Sequence, residues 1–371
     1  MASMKTLNAG ISQAGLSLVE LMIALALGLV LTLGVTQIFL GSSQTYRLND
    51  GLSVLQENLR FALSNLQYDS RMAGHYGCLV GAPANLLDTT DSAYDPNVYD
   101  VGQVSAMGWE ADNTGLGDSF TITSLTPAGT AWSNGAGDAL PTDISGDIVP
   151  GTDVLLINGA EPVPVALSGN PKASNAEIGT SGTTNVPQGA ILLAVAGDCS
   201  GGDLFQKSNN SNSSGFSKGA GGTPGNVNPS SGFSATYDNE ASVYEFFSKA
   251  YYIGQGANGE PALFRERLDA GDSFGAVELI AGVENMQLLY GVASNPIVNR
   301  RADSYVTAAN VTDWGDVVSV RIALMMRSND NSVDEEAART FNLASTQITT
   351  VSDRRVRLVG VATVGVRNRL E

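Results

Sequence analysis

The chain has 371 residues, with 37 acidic side chains against 20 basic ones, a net charge of −17 and an isoelectric point near 4.4. That balance excludes generic nucleic-acid binding through a basic surface. A charged fraction of only 15% with 42 glycines does not suit a charged cytosolic enzyme and fits an exported, β-rich protein with long loops. Residues 1–14 are polar, with one cation, Lys5, and no acid. A basic flank before an apolar stretch stays cytoplasmic, so the remainder is expected to be exported.

An apolar run then extends from Leu16 to Leu40, and its one ionisable side chain is Glu20. As a helix it measures roughly 37 Å, enough to span a bilayer. It is too long for a secretory h-region and lacks an A-x-A cleavage pattern, so the plain reading is an uncleaved signal anchor. A carboxylate inside such a span costs about 2.5–3.5 kcal/mol and requires a reason. One reading is a stray glutamate near the membrane interface. The other comes from Gly15, a hydrophobic Leu16 and Glu20 five positions after the glycine. These residues resemble the class III leader of type IV pilins and pseudopilins, although Leu16 stands where that family usually has Phe. The resemblance implies cleavage between Gly15 and Leu16 by a prepilin peptidase, N-methylation of Leu16, and a subunit-assembly role for Glu20. The Glu20 carboxylate would neutralise the Leu16 amine of a neighbouring subunit, a buried pair that is expensive to break.

Beyond Gly41, apolar residues recur at Leu48, Leu52, Leu55, Leu59, Ala62 and Leu66, in steps of four and three that define a helical stripe. One helix is expected over about 16–72: residues 16–40 transmembrane, 41–72 an amphipathic continuation, after a leader of 1–15. Gly74-His75-Tyr76-Gly77-Cys78 ends it, and residues 79–118 read as loop with short elements. Strands are expected at Ser119–Leu125, Asp153–Asn158 and Ala190–Ala196. Residues 200–239 are dominated by Ser, Asn and Gly and contain Pro224 and Pro229, which reads as an exposed low-complexity loop.

The last third predicts strands at Val243–Ile253, Ala262–Glu266, Val283–Val292, Val317–Arg327 and Arg355–Arg367. Val318, Val320, Ile322, Leu324 and Met326 share one face of a strand whose other face, with Arg321 and Arg327, should be half-solvated. A long helix followed by such strands is α+β: a helix covering a mainly antiparallel head at 73–371. Cys78 and Cys199 form an even pair beyond the anchor and read as one disulfide in an oxidising compartment. Two buried thiols, or half of a metal site, are the alternatives, the second without a Cys-x-x-Cys or His cluster behind it.

Several blocks resemble the PilW family of minor type IV pilins. They are Leu55-Gln56-Glu57-Asn58-Leu59-Arg60-Phe61-Ala62, the exit from Met72 to Cys78, Glu278 to Gln287 with Leu289-Tyr290-Gly291, Tyr305 to Ala309, Asp313-Trp314, Val317 to Ile322, and Val366-Arg367-Asn368-Arg369. The resemblance implies a low-abundance subunit of the inner membrane and then the surface pilus, which primes assembly or sits at the tip. Its expected partners are other minor pilins, the major pilin, the prepilin peptidase and a tip adhesin. A minor pseudopilin of a type II secretion system and a pilin-anchored adhesin are the alternatives.

No catalytic activity, cofactor or metal is expected. His75 is the sole histidine and reads as a packing residue of the helix exit, so multi-His metal sites are excluded. Asp112 to Asp118 and Asp313 to Asp316 offer oxygen ligands but lack the twelve-residue calcium-loop pattern, and they read as Asp-Gly turns. Arg354, Arg355, Arg357, Arg367 and Arg369 concentrate positive charge, which reads as arginines on strand surfaces facing acidic neighbours rather than as a DNA-touching patch.

Overall fold

The computed structural model describes residues 17–366 apart from 80, 100, 102–104, 130, 171–174, 220, 229–230, 270–274 and 296–300. Gly15, Leu16, Pro229, Arg367 and Arg369 therefore lie outside the described residues. The chain divides into two units, one up to Asp50 and one from Gly51 onward. A single helix, Leu18–Met72, contributes to both.

In the first unit the helix exposes its apolar side chains, Leu21, Leu25, Leu29 and Phe39 among them. Mean hydropathy reaches 2.5 over an 18-residue window, so by length and composition it can cross a membrane. Polar side chains within the run are satisfied locally. The Thr32 and Thr36 hydroxyls donate to the carbonyls of Gly28 and Thr32, one turn back.

In the second unit the expected stripe becomes the buried face of the helix: Leu55, Leu59, Ala62 and Leu66 are inside the core. Each such side chain contributes about 1.5–3 kcal/mol on burial. Two sheets receive it. The larger has nine strands, with central members Ile191–Val195, Ser242–Gln255, Val154–Pro162 and Ala106–Ala111 in that spatial order. The second runs Ser304–Val306, Val283–Val292, Val317–Arg327, Arg357–Gly365, with antiparallel pairing throughout. Gly360 is a point of close approach. A Cβ there would lie 2.6 Å from the Leu59 side chain, so glycine lets the helix settle on the strand.

Two expectations change. Residues 200–239 are not simply an exposed loop. Gly202–Gln206 is a fully buried strand paired with Ile191–Val195, and Gly215–Ser217 pairs with Glu177–Thr180. Phe205, Phe216, Phe233 and Tyr237 form a second core there. Widely spaced aromatics supply the burial that average composition hides, while Ser and Asn side chains satisfy the turns. Buried Lys207 donates to the carbonyls of Asn209 and Asn210 in the same way.

The second change concerns Val317–Arg327, whose arginine-bearing face is not half-solvated. Ala323 and Met325 are buried under Ile122, Leu343 and Ile348, from a small sheet made of Thr340–Leu343, Thr346–Thr349 and Ser119–Thr121 and the residue that follows it. Arg321 keeps partial exposure, stacked over the Tyr305 ring, while Arg327 is buried. Within 79–118, where short elements are expected, lies a strand, Ala106–Ala111, buried at every position. Its sequence, Ala-Met-Gly-Trp-Glu-Ala, shows no period-two pattern because both of its faces are covered.

Candidate assembly site

Glu20 lies in the first turn of the long helix, and its Oε2 accepts a hydrogen bond from the Ser17 backbone N–H at 3.3 Å. Ser17 in turn offers its carbonyl to the N–H of Leu21 at 3.1 Å. Ser17-Leu18-Val19-Glu20 thus has the spacing of a capping box, in which the acid three residues on reaches back to the cap. A negative charge at this end also complements the helix dipole. Glu20 is exposed on an apolar helix and has no cationic partner among the described residues. Gly15 and Leu16, the expected cleavage and methylation positions, precede the described residues.

The helix exit is built to join the large sheet. Gly74 and Gly77 take positive φ of 71° and 69°, a region that favours glycine. At Gly77 a Cβ would lie 2.4 Å from the Tyr244 ring. The Gly74 N–H donates to the Asn158 carbonyl and the Ala160 N–H to the His75 carbonyl, so the exit extends the edge of Val154–Pro162. His75 packs edge-on to Tyr244, with ring centroids 6.4 Å apart. Immediately after, Cys78 is bonded to Cys199, with 5.4 Å between their Cα atoms. The chain-entropy account gives such a long loop about 4–5 kcal/mol.

Several charges inside the head are paired. Asp69, on the last turns of the helix, receives Lys249 Nζ at 3.4 Å and the Tyr251 hydroxyl, which fastens helix to sheet. Lys249 also reaches the exposed Glu161 at 3.2 Å and lies over the Phe247 ring. Arg357 makes a two-pronged contact with Glu284, at 2.6 and 3.0 Å, and a second with Asp353. Glu260 is held by Arg327 and Arg355. Arg355 and Arg357 do face acids as expected, but as buried or half-buried struts between strands rather than a solvent-facing patch.

Glu110 and Asp153 form a different pair. Burial pushes the Asp153 carboxyl up to about 7, while the backbone N–H groups it accepts from, Ala111 at 3.0 Å and Leu288 at 2.7 Å, favour its charged form. Glu110 lies nearby without a cation. Burial, and then the Asp153 charge, pushes its carboxyl far above the usual range, so it keeps its proton at neutral pH. Hydrogen-bond counting agrees. The Thr114 hydroxyl has one proton and two acceptors in reach, the Ala111 carbonyl at 2.8 Å and Glu110 Oε1 at 3.3 Å. A protonated Glu110 removes the conflict by donating to the Thr114 oxygen.

The Asp-Gly turns are used as turns. Asp118 accepts from the Gly115 N–H and Asp313 from that of Gly315. Among the described residues no cluster of three or more acidic, Cys or His side chains is arranged to hold a metal ion. Sequence reasoning missed Asp69, Glu284 and Glu260. Their partners lie 180, 73 and 95 residues away in the chain, so no local pattern marks them.

A membrane-length apolar helix feeding a β-rich head defines the type IV pilin-like class once its start is identified, and residues 11–36 match the prokaryotic N-terminal methylation motif. Residues 250–368 match the family described as Type IV Pilus-assembly protein W. Over about a third of its length the chain is therefore similar to that family, and together with the N-terminal motif this fits a membrane-anchored pilus component. The solved structure of the type IV-like pilin TTHA1219 from Thermus thermophilus is similar over 56% of this chain and 84% of that one, at 11% identity and a TM-score of 0.21. No curated protein matches the chain.

Proposed function

We propose that the protein is a minor type IV pilin that acts by assembly. A prepilin peptidase cuts between Gly15 and Leu16, the Leu16 amine is methylated, and the head stands on the far side of the inner membrane from residues 1–15. The chain then joins other minor pilins and the major pilin, in a complex that primes the fibre or occupies its tip. The observation that carries this reading is the pairing of a methylation motif on a membrane-length helix with a PilW-matching head.

Glu20 fits the role because its present partner is one backbone N–H at 3.3 Å, a weak contact that leaves capacity for a neighbour's amine. Co-expression with a prepilin peptidase tests the reading. The mass should fall by residues 1–15 and rise by one methyl group, and an unchanged mass would sink the processing claim.

A further inference from the structure

Sheet edges in this head are kept short, with one exception. The terminal strands of the four sheets are Ala84–Asn85, Trp132–Ser133, Val277–Ala281, Gly215–Ser217, Leu167–Gly169, Thr340–Leu343, Ser119–Thr121 and Ser304–Val306, all between two and five residues. The ninth, Arg357–Gly365, has nine residues. Long edges template unwanted pairing, and proteins blunt them with charge, proline or brevity. From Leu358 to Gly365 this strand has neither a charge nor a proline.

The free side of the strand can be assigned. Val366 N–H donates to the Val318 carbonyl and Ser328 N–H to the Val356 carbonyl. In an antiparallel ladder, hydrogen-bonded positions alternate, so even-numbered residues face Val317–Arg327. Val359, Val361, Thr363 and Gly365 then turn their N–H and C=O groups outward. Val361 is 53% exposed and, among the described residues, no strand pairs with this edge. Beside it runs a groove of about 880 Å³ between the strand and the helix, with Phe61 and Ala362 as apolar lining and Gln56, Arg60 and Gln67 as polar lining. Phe61 is itself 55% exposed.

We infer that the outer edge of Arg357–Gly365 receives an extended strand from a different pilus subunit, which adds to the sheet and sets alternate apolar side chains into the groove. Backbone groups facing outward along an apolar edge select an extended segment, as in other cases of strand addition. A net charge of −17 disfavours a second copy of this chain as the donor. The inference rests on the assembly reading and names the surface that reading leaves open.

The test uses the full chain in piliated cells, with a photo-crosslinking residue at position 361 and, as control, at exposed Asn258. Position 361 should give an adduct whose mass identifies another pilin-type subunit, and position 258 should not. Val361→Pro removes an outward donor and is tolerated on an edge. It should melt like the parent and weaken capture of that subunit on the order of tenfold. Ala362→Pro removes an inward donor and should destabilise the head, which checks the register. No adduct at 361, an adduct only with a second copy, or unweakened capture by Val361→Pro overturns the inference. If deleting the whole chain leaves pilus number unchanged, the assembly reading fails instead, and the adduct at 361 still decides the edge.

Discussion

The two units handle charge in opposite ways. In the head, Asp69, Glu260 and Glu284 each meet a lysine or arginine of the same chain, and Glu110 avoids ionising. In the apolar helix of the first unit, Glu20 has a single backbone N–H. Breaking such a buried pair costs about 3–5 kcal/mol. An exposed helix that ends up in lipid or in a bundle can postpone the match until a neighbour arrives. The head thus pairs these acids on its own, whereas on the proposed assembly role the anchor's acid would meet its match only in a neighbour.

That contrast can be broken or sharpened by substitutions read out as melting of the full chain in detergent. The largest loss is expected for Arg357→Ala, which strands Glu284 in the core and should cost about 3–5 kcal/mol. A change below about 1 kcal/mol would mean that the pair is solvated after all. Cys78→Ser should follow, at about 2–5 kcal/mol, with the same loss on reduction of the parent protein.

Glu110→Gln is expected to be milder and to depend on pH. Because burial and the Asp153 charge raise the folded pKa above the unfolded value, the stabilising contribution is complete below the ordinary carboxyl range. It is lost as pH rises through and beyond that range. The parent should therefore melt at a lower temperature at pH 8 than at pH 5.5, and Glu110→Gln should flatten that slope. An identical slope in both would remove Glu110 from the account.

Glu20→Leu stands at the bottom of the series. It removes an exposed cap, should leave head melting within about 0.5 kcal/mol, and should nonetheless reduce recruitment into pili. Normal recruitment would end the idea that the anchor's charge awaits a neighbour.

What the sequence made legible follows the range over which its signals act. The helix was readable because Leu55, Leu59, Ala62 and Leu66 repeat with its period, and Val317–Arg327 because Val318, Val320, Ile322, Leu324 and Met326 alternate along it. Glu20 was readable as an anomaly against its neighbours. Ala106–Ala111 was hidden because a strand buried on both faces shows no alternation. Residues 200–239 misled because four buried aromatics outweigh a polar average. The pairs Arg357–Glu284, Arg355–Glu260 and Lys249–Asp69, spanning 73, 95 and 180 residues, had no local signature at all.

On the proposed assembly role, in which the subunit would be held by one end in a fibre, the covalent link between Cys78 and Cys199 has a mechanical meaning. Tension entering through the helix reaches residue 78 just after the exit and crosses the bridge directly to residue 199. The residues between them, at a sequence separation of 121, are bypassed, so roughly 400 Å of chain can never be drawn out while the bond is intact. Pulling then acts on the chain from residue 199 onward, which includes the arginine struts, while Ala106–Ala111 and Val154–Pro162 lie within the loop that the bond closes.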